Sequence, residues 1–169
     1  MEPKKLWSFS VSIYEKEGVA SACLNLQNQC QIDIAMMLAV IFACRHGKFI
    51  SDESIVELQR LATPWQCKIV KPLRQIRTLL KTGPLPAPNK QTNELRDNIK
   101  ALELIAEKIQ METMQKWIDK LKTTTQKGSV VPLQLMTTNI IRIVKLTHHG
   151  ILTKDQRDQI QHIASASIQ

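Results

Sequence analysis

Glycine is scarce in this chain, and its few residues do not cluster. The five glycines lie singly at positions 18, 47, 83, 128 and 150. A phosphate-binding loop needs several glycines within a few residues, because its backbone N–H groups must approach the phosphate oxygens closely. The sequence therefore excludes nucleotide hydrolysis by a P-loop.

Long hydrophobic runs are also missing. The longest uncharged apolar run extends from Ile34 to Cys44, well short of the ~20 residues that a membrane-spanning helix needs. The segment after Lys4 and Lys5 is interrupted by serines and reaches an acidic residue at Glu15, so it lacks the apolar centre of a secretory signal. We therefore expect a cytoplasmic protein without a membrane span.

The four cysteines include no Cys-x-x-Cys pair. In a cytosolic helical protein they are expected to be small buried hydrophobes and not a disulfide framework. Cys44 and His46 are the candidates for a metal or nucleophilic site, although zinc would need a further ligand such as Cys23 or Cys30. We expect no cofactor and no metal, and an enzyme or metal protein around Cys44 and His46 is the third hypothesis for function.

Acidic residues are absent between Glu57 and Glu94, although the chain has 15 of them and a net charge of +8. Because charges of one sign attract polyanions, this interval indicates a partner that carries negative charge. We predict that five cations on one helix form a polyanion-binding surface. These residues are Lys68, Lys71, Arg74, Arg77 and Lys81.

Aromatic residues do not alternate with these cations. Trp65 is expected in the core, so stacking on single-stranded bases is not expected, and any nucleic acid would be held through its phosphates without sequence specificity. The leading hypothesis is a non-catalytic helical adaptor that docks on a nucleoprotein or an acidic protein. The alternative is a protein-interaction or weak homo-oligomerisation module that uses a long helix and a C-terminal hairpin.

The apolar residues recur at intervals of three and four, which predicts helices throughout and an all-α fold. We expect a multi-helix bundle over residues 1–82 and a proline-rich linker over 83–90. A long helix over 91–126 is predicted to pack back on the bundle, and a helical hairpin is predicted over 127–169. Asp33 is expected to cap a central buried helix over Ile34–Arg45.

Three local expectations concern the basic helix and the linker. Thr63 and Pro64 predict the start of the basic helix, and Pro72 predicts a kink or break near Lys68–Lys71. The segment Gly83–Pro88 is expected to be an extended polyproline linker. The predicted inner face of the basic helix packs Trp65 against the central helix and comprises Trp65, Ile69, Leu73, Ile76 and Leu80.

The long helix is expected to bury an apolar seam. The seam comprises Leu95, Ile99, Leu102, Ala106 and Ile109. Exposed, such a stripe would be an apolar patch of the size that marks an interface. Glu103 and Glu107 are interpreted as surface charges, and Thr153 with Gln156 predicts a capping box before the last helix.

Several short motifs resemble one known family. They include Leu6-Trp7-Ser8-Phe9-Ser10, Ala22-Cys23-Leu24, Ile32-Asp33, Pro64-Trp65-Gln66, Pro72-Leu73-Arg74 and Ala106-Glu107. The resemblance covers about residues 6–112 and is to a family of small bacterial helical proteins known only as a domain of unknown function. It implies a helical fold and a bacterial cytosolic setting, and it implies no activity.

Overall fold

The computed structural model describes residues 5–124 and 131–168, and within them the chain forms α-helices with one π-helical segment and no strand. The helices are α1 (Leu6–Tyr14), α2 (Val19–Cys30), α3 (Ile34–Arg45), α4 (Asp52–Trp65), the π-helical segment (Gln66–Val70), α5 (Lys71–Leu79), α6 (Lys90–Lys120), α7 (Leu133–Val144) and α8 (Lys154–Ile168). The predicted all-α fold, with a long helix and C-terminal helices, is confirmed. None of the described helices combines the length and the apolar character needed to cross a membrane.

Helix α3 is the centre of the molecule. Its predicted bounds are confirmed, and ten of its twelve residues are buried. The Asp33 side chain accepts a hydrogen bond from the Met36 backbone N–H at 3.2 Å, which caps the helix as predicted. Because α3 is apolar on all sides, it is covered by α1, α4, α6, α7 and α8.

The predicted start of the basic helix at Thr63 and Pro64 is wrong. Both residues lie inside α4, which continues through the π-helical segment into α5. A proline lacks an amide and crowds the carbonyl four residues earlier, and the wider π turn accommodates this while the helix continues. A kink or a break was predicted near Lys68–Lys71. The helix instead continues there through a π turn, in which the Lys71 N–H donates to the Gln66 carbonyl.

The predicted inner face of the basic helix is largely wrong. Ile69 and Ile76 are exposed, and α5 has no buried residue. Trp65 is half-buried and donates its indole N–H to the carbonyl of Ala106 at 3.0 Å, so it contacts α6 instead of packing in the centre of the core. Helix α5 lies beside α6 and outside the main core.

The loop between α5 and α6 is a turn and not the extended linker that Gly83–Pro88 predicted. The Ala87 N–H donates to the Pro84 carbonyl at 2.9 Å, and Ala87 is buried. Asn89 then caps α6 through a capping box with Thr92. Because the chain reverses here, α5 and α6 run antiparallel and bring their side chains together.

The predicted seam of α6 is only partly buried. Ile99 and Ala106 are buried, whereas Leu95, Leu102 and Ile109 are exposed. The helix is rotated about its axis relative to the orientation that the predicted seam requires. The centre of its buried face is occupied by polar side chains that form hydrogen bonds to neighbouring helices. The second half of α6 is buried through Met111, Met114, Trp117 and Ile118.

The last two helices complete the core. Helix α7 packs on α3 and α8 packs on α2, and the predicted capping box of Thr153 and Gln156 is confirmed. One continuous cluster of buried side chains contains residues from α1, α2, α3, α4, α6, α7 and α8.

Candidate functional site

The two predicted site arginines are held by carboxylates of α6. Arg74 Nε donates to Glu103 Oε1 at 2.8 Å and Arg74 Nη2 donates to Glu107 Oε1 at 2.6 Å. Arg77 Nε donates to Glu103 Oε2 at 2.5 Å. The interpretation of Glu103 and Glu107 as surface charges is therefore wrong, since Glu103 is only 6% exposed.

The three predicted site lysines lie apart from these ion pairs. Lys68, Lys71 and Lys81 are exposed, and within residues 5–124 and 131–168 none of them forms an ion pair. The five residues therefore divide into two arginines that bond inside the molecule and three lysines that face solvent. The polyanion-binding surface stays a prediction.

Asp33 has a second role beyond the cap of α3. Its Oδ2 atom accepts a hydrogen bond from Gln110 Nε2 of α6 at 3.0 Å. Burial raises the pKa of this carboxyl, although the hydrogen bonds from Met36 and Gln110 oppose the rise. The raised pKa means that burial favours the protonated form of Asp33 more than its hydrogen bonds favour the carboxylate.

The two glutamates of α6 differ in their electrostatic surroundings. Burial alone would raise the pKa of Glu103, but hydrogen bonds from Arg77 and Arg74 outweigh it and hold the pKa below its ordinary value. The pKa of Glu107 is raised by burial and by the nearby charge of Glu103, and Arg74 offsets this only in part. Burial therefore outweighs the opposing hydrogen bonds and arginine charge at Asp33 and Glu107, whereas the two arginines outweigh burial at Glu103 and hold its pKa down.

Gln66 begins the π-helical segment and is 6% exposed. Its Oε1 atom receives no hydrogen bond from any described residue. A buried amide oxygen without a donor costs free energy, and π turns inside helices occur frequently at functional sites. Gln66 is thus a buried amide at the irregular turn of the helix.

A cavity of about 400 Å³ lies where α1, α3, the π-helical segment and α6 meet. Its polar residues include Tyr14, Asp33, Gln66, Arg74 and Glu107. Its apolar residues include Trp7, Val11, Leu38, Leu104 and Met111. The cavity therefore combines an apolar wall with a group of carboxyl and amide acceptors, which is the usual composition of a small-molecule site.

Tyr14 lines this cavity, and the buried Cys23 thiol lies near enough to affect its pKa. Burial raises the pKa of Tyr14 well above its ordinary value, with further contributions from Cys23 and Glu107. Burial also raises the pKa of Cys23 to about 12. Both groups are therefore protonated at neutral pH, and Cys23 is a poor nucleophile.

Cys44 and His46 are not brought together. The Cys44 thiol is buried and lies 3.5 Å from Asn139 Nδ2, whereas the His46 ring packs against Phe42 in a tilted arrangement, with 4.1 Å between the ring centroids. In the part of the chain that the structure describes, no group of three or more His, Cys, Asp or Glu residues is arranged to hold a metal.

Sequence reasoning missed the cavity because its residues come from separate helices. Asp33 was assigned a capping role, Glu107 was interpreted as a surface charge, and Gln66 appeared only in a motif of the family resemblance. One signal was present in the sequence. A helix that contains both Pro64 and Pro72 must deviate from α geometry between them, and Gln66 begins that deviation.

Comparisons with known proteins agree with the resemblance seen in the sequence. A family model described as a protein of unknown function, DUF2390, matches residues 5–114. No curated protein and no solved structure matches the chain. The matched part contains every residue that lines the cavity. Because the match extends over well more than half of the chain, this protein belongs to the DUF2390 family of proteins of unknown function.

Proposed function

We propose that this protein binds a small molecule in the cavity between α1, α3 and α6. The observation that carries this proposal is the composition of the cavity, in which apolar side chains meet the polar side chains of Asp33, Arg74 and Glu107. A volume of about 400 Å³ lies within the range of ligand pockets, about 300–1,000 Å³. The residues that line the cavity come from six elements, namely α1, α2, α3, the π-helical segment, α5 and α6.

The walls of the cavity favour an amphiphilic ligand. Leu38 and Met111 are buried on the apolar side, and Trp7 is half-buried beside them. Removing an apolar ligand surface from water against these side chains is favourable by about 25 cal/mol per Å². The acceptors around Asp33 and Gln66 then supply orientation, since a few placed polar groups determine specificity in such sites.

A fragment screen with two matched variants tests the proposal. Leu104 lines the cavity and Leu102 does not, while both lie on α6 and both are 53% exposed. We expect fragments detected by ligand-observed NMR to bind the parent protein and Leu102→Trp, and to lose binding in Leu104→Trp because the larger ring narrows the cavity. Absence of binding to the parent, or equal binding to both variants, would contradict the proposal.

A second function, docking on a polyanionic or acidic surface such as a nucleoprotein, is supported by one specific observation. Lys68, Lys71 and Lys81 are exposed and, in the described residues, free of ion pairs. They are therefore available to phosphate or carboxylate groups, and the predicted surface is narrowed to three lysines. Arg74 and Arg77 support this surface only indirectly, because their donors bond to Glu103 and Glu107.

Titration with a fluorescent DNA duplex tests the docking function. Binding should be independent of sequence and should weaken steeply between low salt and ~0.2 M salt, because it depends on counterion release. The triple change of Lys68, Lys71 and Lys81 to Glu should abolish it. The control changes three exposed lysines elsewhere to Glu and alters the net charge equally: Lys100, Lys120 and Lys145. Binding that is absent at low salt, or lost equally in both triple variants, would contradict the docking function.

A further inference from the structure

The antiparallel pair of helices α5 and α6 carries apolar side chains outside the core. Seven of them, each between 38% and 57% exposed, form what we call the outer face, and none belongs to the core cluster. They are Ile69, Ile76 and Leu79 of the π-helical segment and α5, and Leu95, Leu102, Ile105 and Ile109 of α6. Soluble monomers rarely expose so many adjoining apolar residues, and such a patch is typical of an interface.

The two helices present the outer face on the same side of the molecule. Arg74 of α5 bonds to Glu107 of α6, and both residues line the cavity. Ile76 comes two residues after Arg74, which places it roughly 160° around α5 from the cavity side. Ile109 comes two residues after Glu107, which places it roughly 160° around α6 in the same sense. The apolar side chains of both helices therefore face away from the cavity, toward solvent.

The charges of α6 beside the outer face have opposite signs. Glu94, Ala101 and Lys108 follow one another at intervals of seven residues, so they lie along one edge of the helix. All three are exposed, and within residues 5–124 and 131–168 neither charge forms an ion pair. The Lys108 Nζ atom lies 6.0 Å from the centroid of the Trp7 ring, at the outer limit of a cation–π contact. This edge therefore has an acidic end, a small residue in the middle and a basic end.

We propose that the outer face binds a second copy of this chain, with the two α6 helices antiparallel and crossing at Ala101. This arrangement brings Glu94 of each copy opposite Lys108 of the other, so two ion pairs flank the apolar contact. The small side chain of Ala101 lets the helices approach closely, and Leu102 of each copy then meets apolar residues of the other. A partner with charge of a single sign would instead face a like charge at one end of this edge, whereas a second copy complements both ends.

Two features keep this dimer weak and reversible. Asn98 interrupts the apolar stripe between Leu95 and Leu102, and a polar residue at such a position fixes the register of two helices at a cost in stability. The net charge of +8 opposes association, although at ~0.15 M salt charges farther apart than about 8 Å are largely screened. Because small interfaces associate weakly, we expect a dissociation constant on the order of 100 µM. The dimer then forms in concentrated solution and dissociates at micromolar concentrations.

An exchange of the two charges tests the arrangement by sedimentation velocity. The average mass of the parent should rise from that of the 19.3 kDa monomer toward twice that value as its concentration increases from ~10 µM to ~1 mM. Glu94→Lys and Lys108→Glu each set like charges opposite one another twice, so each should raise the dissociation constant at least tenfold. The double variant should regain the association of the parent. Within one copy the two residues lie about 21 Å apart along α6, so only a contact between copies explains the recovery.

The control is Lys154→Glu, at an exposed lysine of α8, which alters the net charge as much as Lys108→Glu does. It should associate like the parent, and circular dichroism establishes that each variant is folded. A parent that stays monomeric at ~1 mM would overturn the proposal and would leave the outer face to a different protein. A double variant that associates no better than the single variants, or a control that weakens association as much as Lys108→Glu, would also overturn it.

Discussion

The guanidinium of Arg77 lies against the carboxylate of Glu103, with 2.5 Å between Arg77 Nε and Glu103 Oε2. The two residues are 26 positions apart and belong to antiparallel helices joined by a proline-containing turn. A helix without any acidic residue of its own thus receives its counter-charges from the next helix. The charge of α5 alone therefore overstates the positive charge that the folded surface presents.

Removal of Glu103 should destabilise the protein. Glu103→Ala leaves Arg74 and Arg77 without their shared carboxylate, and we expect a loss of about 2–4 kcal/mol, near the range for breaking a buried ion pair. Urea unfolding at pH 7 measures it. Glu94→Ala on the exposed side of the same helix should change stability by less than ~0.5 kcal/mol. Equal effects of the two changes would show that the ion pairs contribute nothing.

Asp33 should make the protein less stable as the pH rises. Its folded-state pKa lies above the ordinary value of 3.8, so its stabilising contribution is complete below that value and is lost as the pH rises through the folded-state pKa. Asp33→Asn keeps the cap and removes this titration. Relative to the parent, the variant should therefore gain stability between pH 3.5 and pH 7 in urea unfolding series. A constant difference across this range would contradict the raised pKa.

The tryptophans of α4 and α6 should differ in their contribution to stability. Trp117 is 1% exposed, so Trp117→Ala should cost about 3–5 kcal/mol, as large-to-small changes in a core do. Trp65 is half-buried and makes one hydrogen bond to Ala106, so Trp65→Ala should cost about 1–3 kcal/mol. Chemical unfolding of both variants measures the difference, and a larger loss at Trp65 would contradict its placement at the edge of the core.

The apolar seam of α6 should tolerate charge at its exposed positions. Leu102 is 53% exposed and Ala106 is 5% exposed. Leu102→Glu should remain folded, with a change below ~0.5 kcal/mol, whereas Ala106→Glu buries an unpaired carboxylate and should unfold the protein or cost more than ~3 kcal/mol. Circular dichroism melts compare the two.

Light scattering on Leu102→Glu also addresses self-association through the long helix. If the parent is a dimer through this seam, the variant should become a folded monomer, because a charge inside an apolar interface is costly. An unchanged mass in solution would show that the exposed seam is not a homo-oligomer interface.

The helical fold and several helix ends were predictable from short-range patterns. Asp33 caps α3, Thr153 and Gln156 form the capping box of α8, and the apolar residues of α3 recur on all sides of the helix. Each of these features depends on side chains within four residues of one another, so a single helix suffices to specify it.

The rotation of α6 and the position of α5 were not predictable in the same way. The apolar spacing of Leu95, Leu102 and Ile109 predicts a buried seam, but Glu103 and Gln110 occupy the buried face instead. Their hydrogen bonds to Arg74, Arg77 and Asp33 come from residues 26 to 77 positions away. The spacing of apolar residues does not reveal such partners. A prediction from apolar periodicity assigns every polar residue to the solvent-exposed face of the helix.

The sequence by itself determined that this protein is helical, where its central helix lies, and that its helix after Trp65 is irregular. These properties follow from local spacing, capping and the missing amide of Pro72. Only the tertiary structure decided which charges are paired and where the cavity lies. Both depend on the approach of helices that are distant in the chain, and that approach places Asp33, Gln66 and Glu107 around one volume.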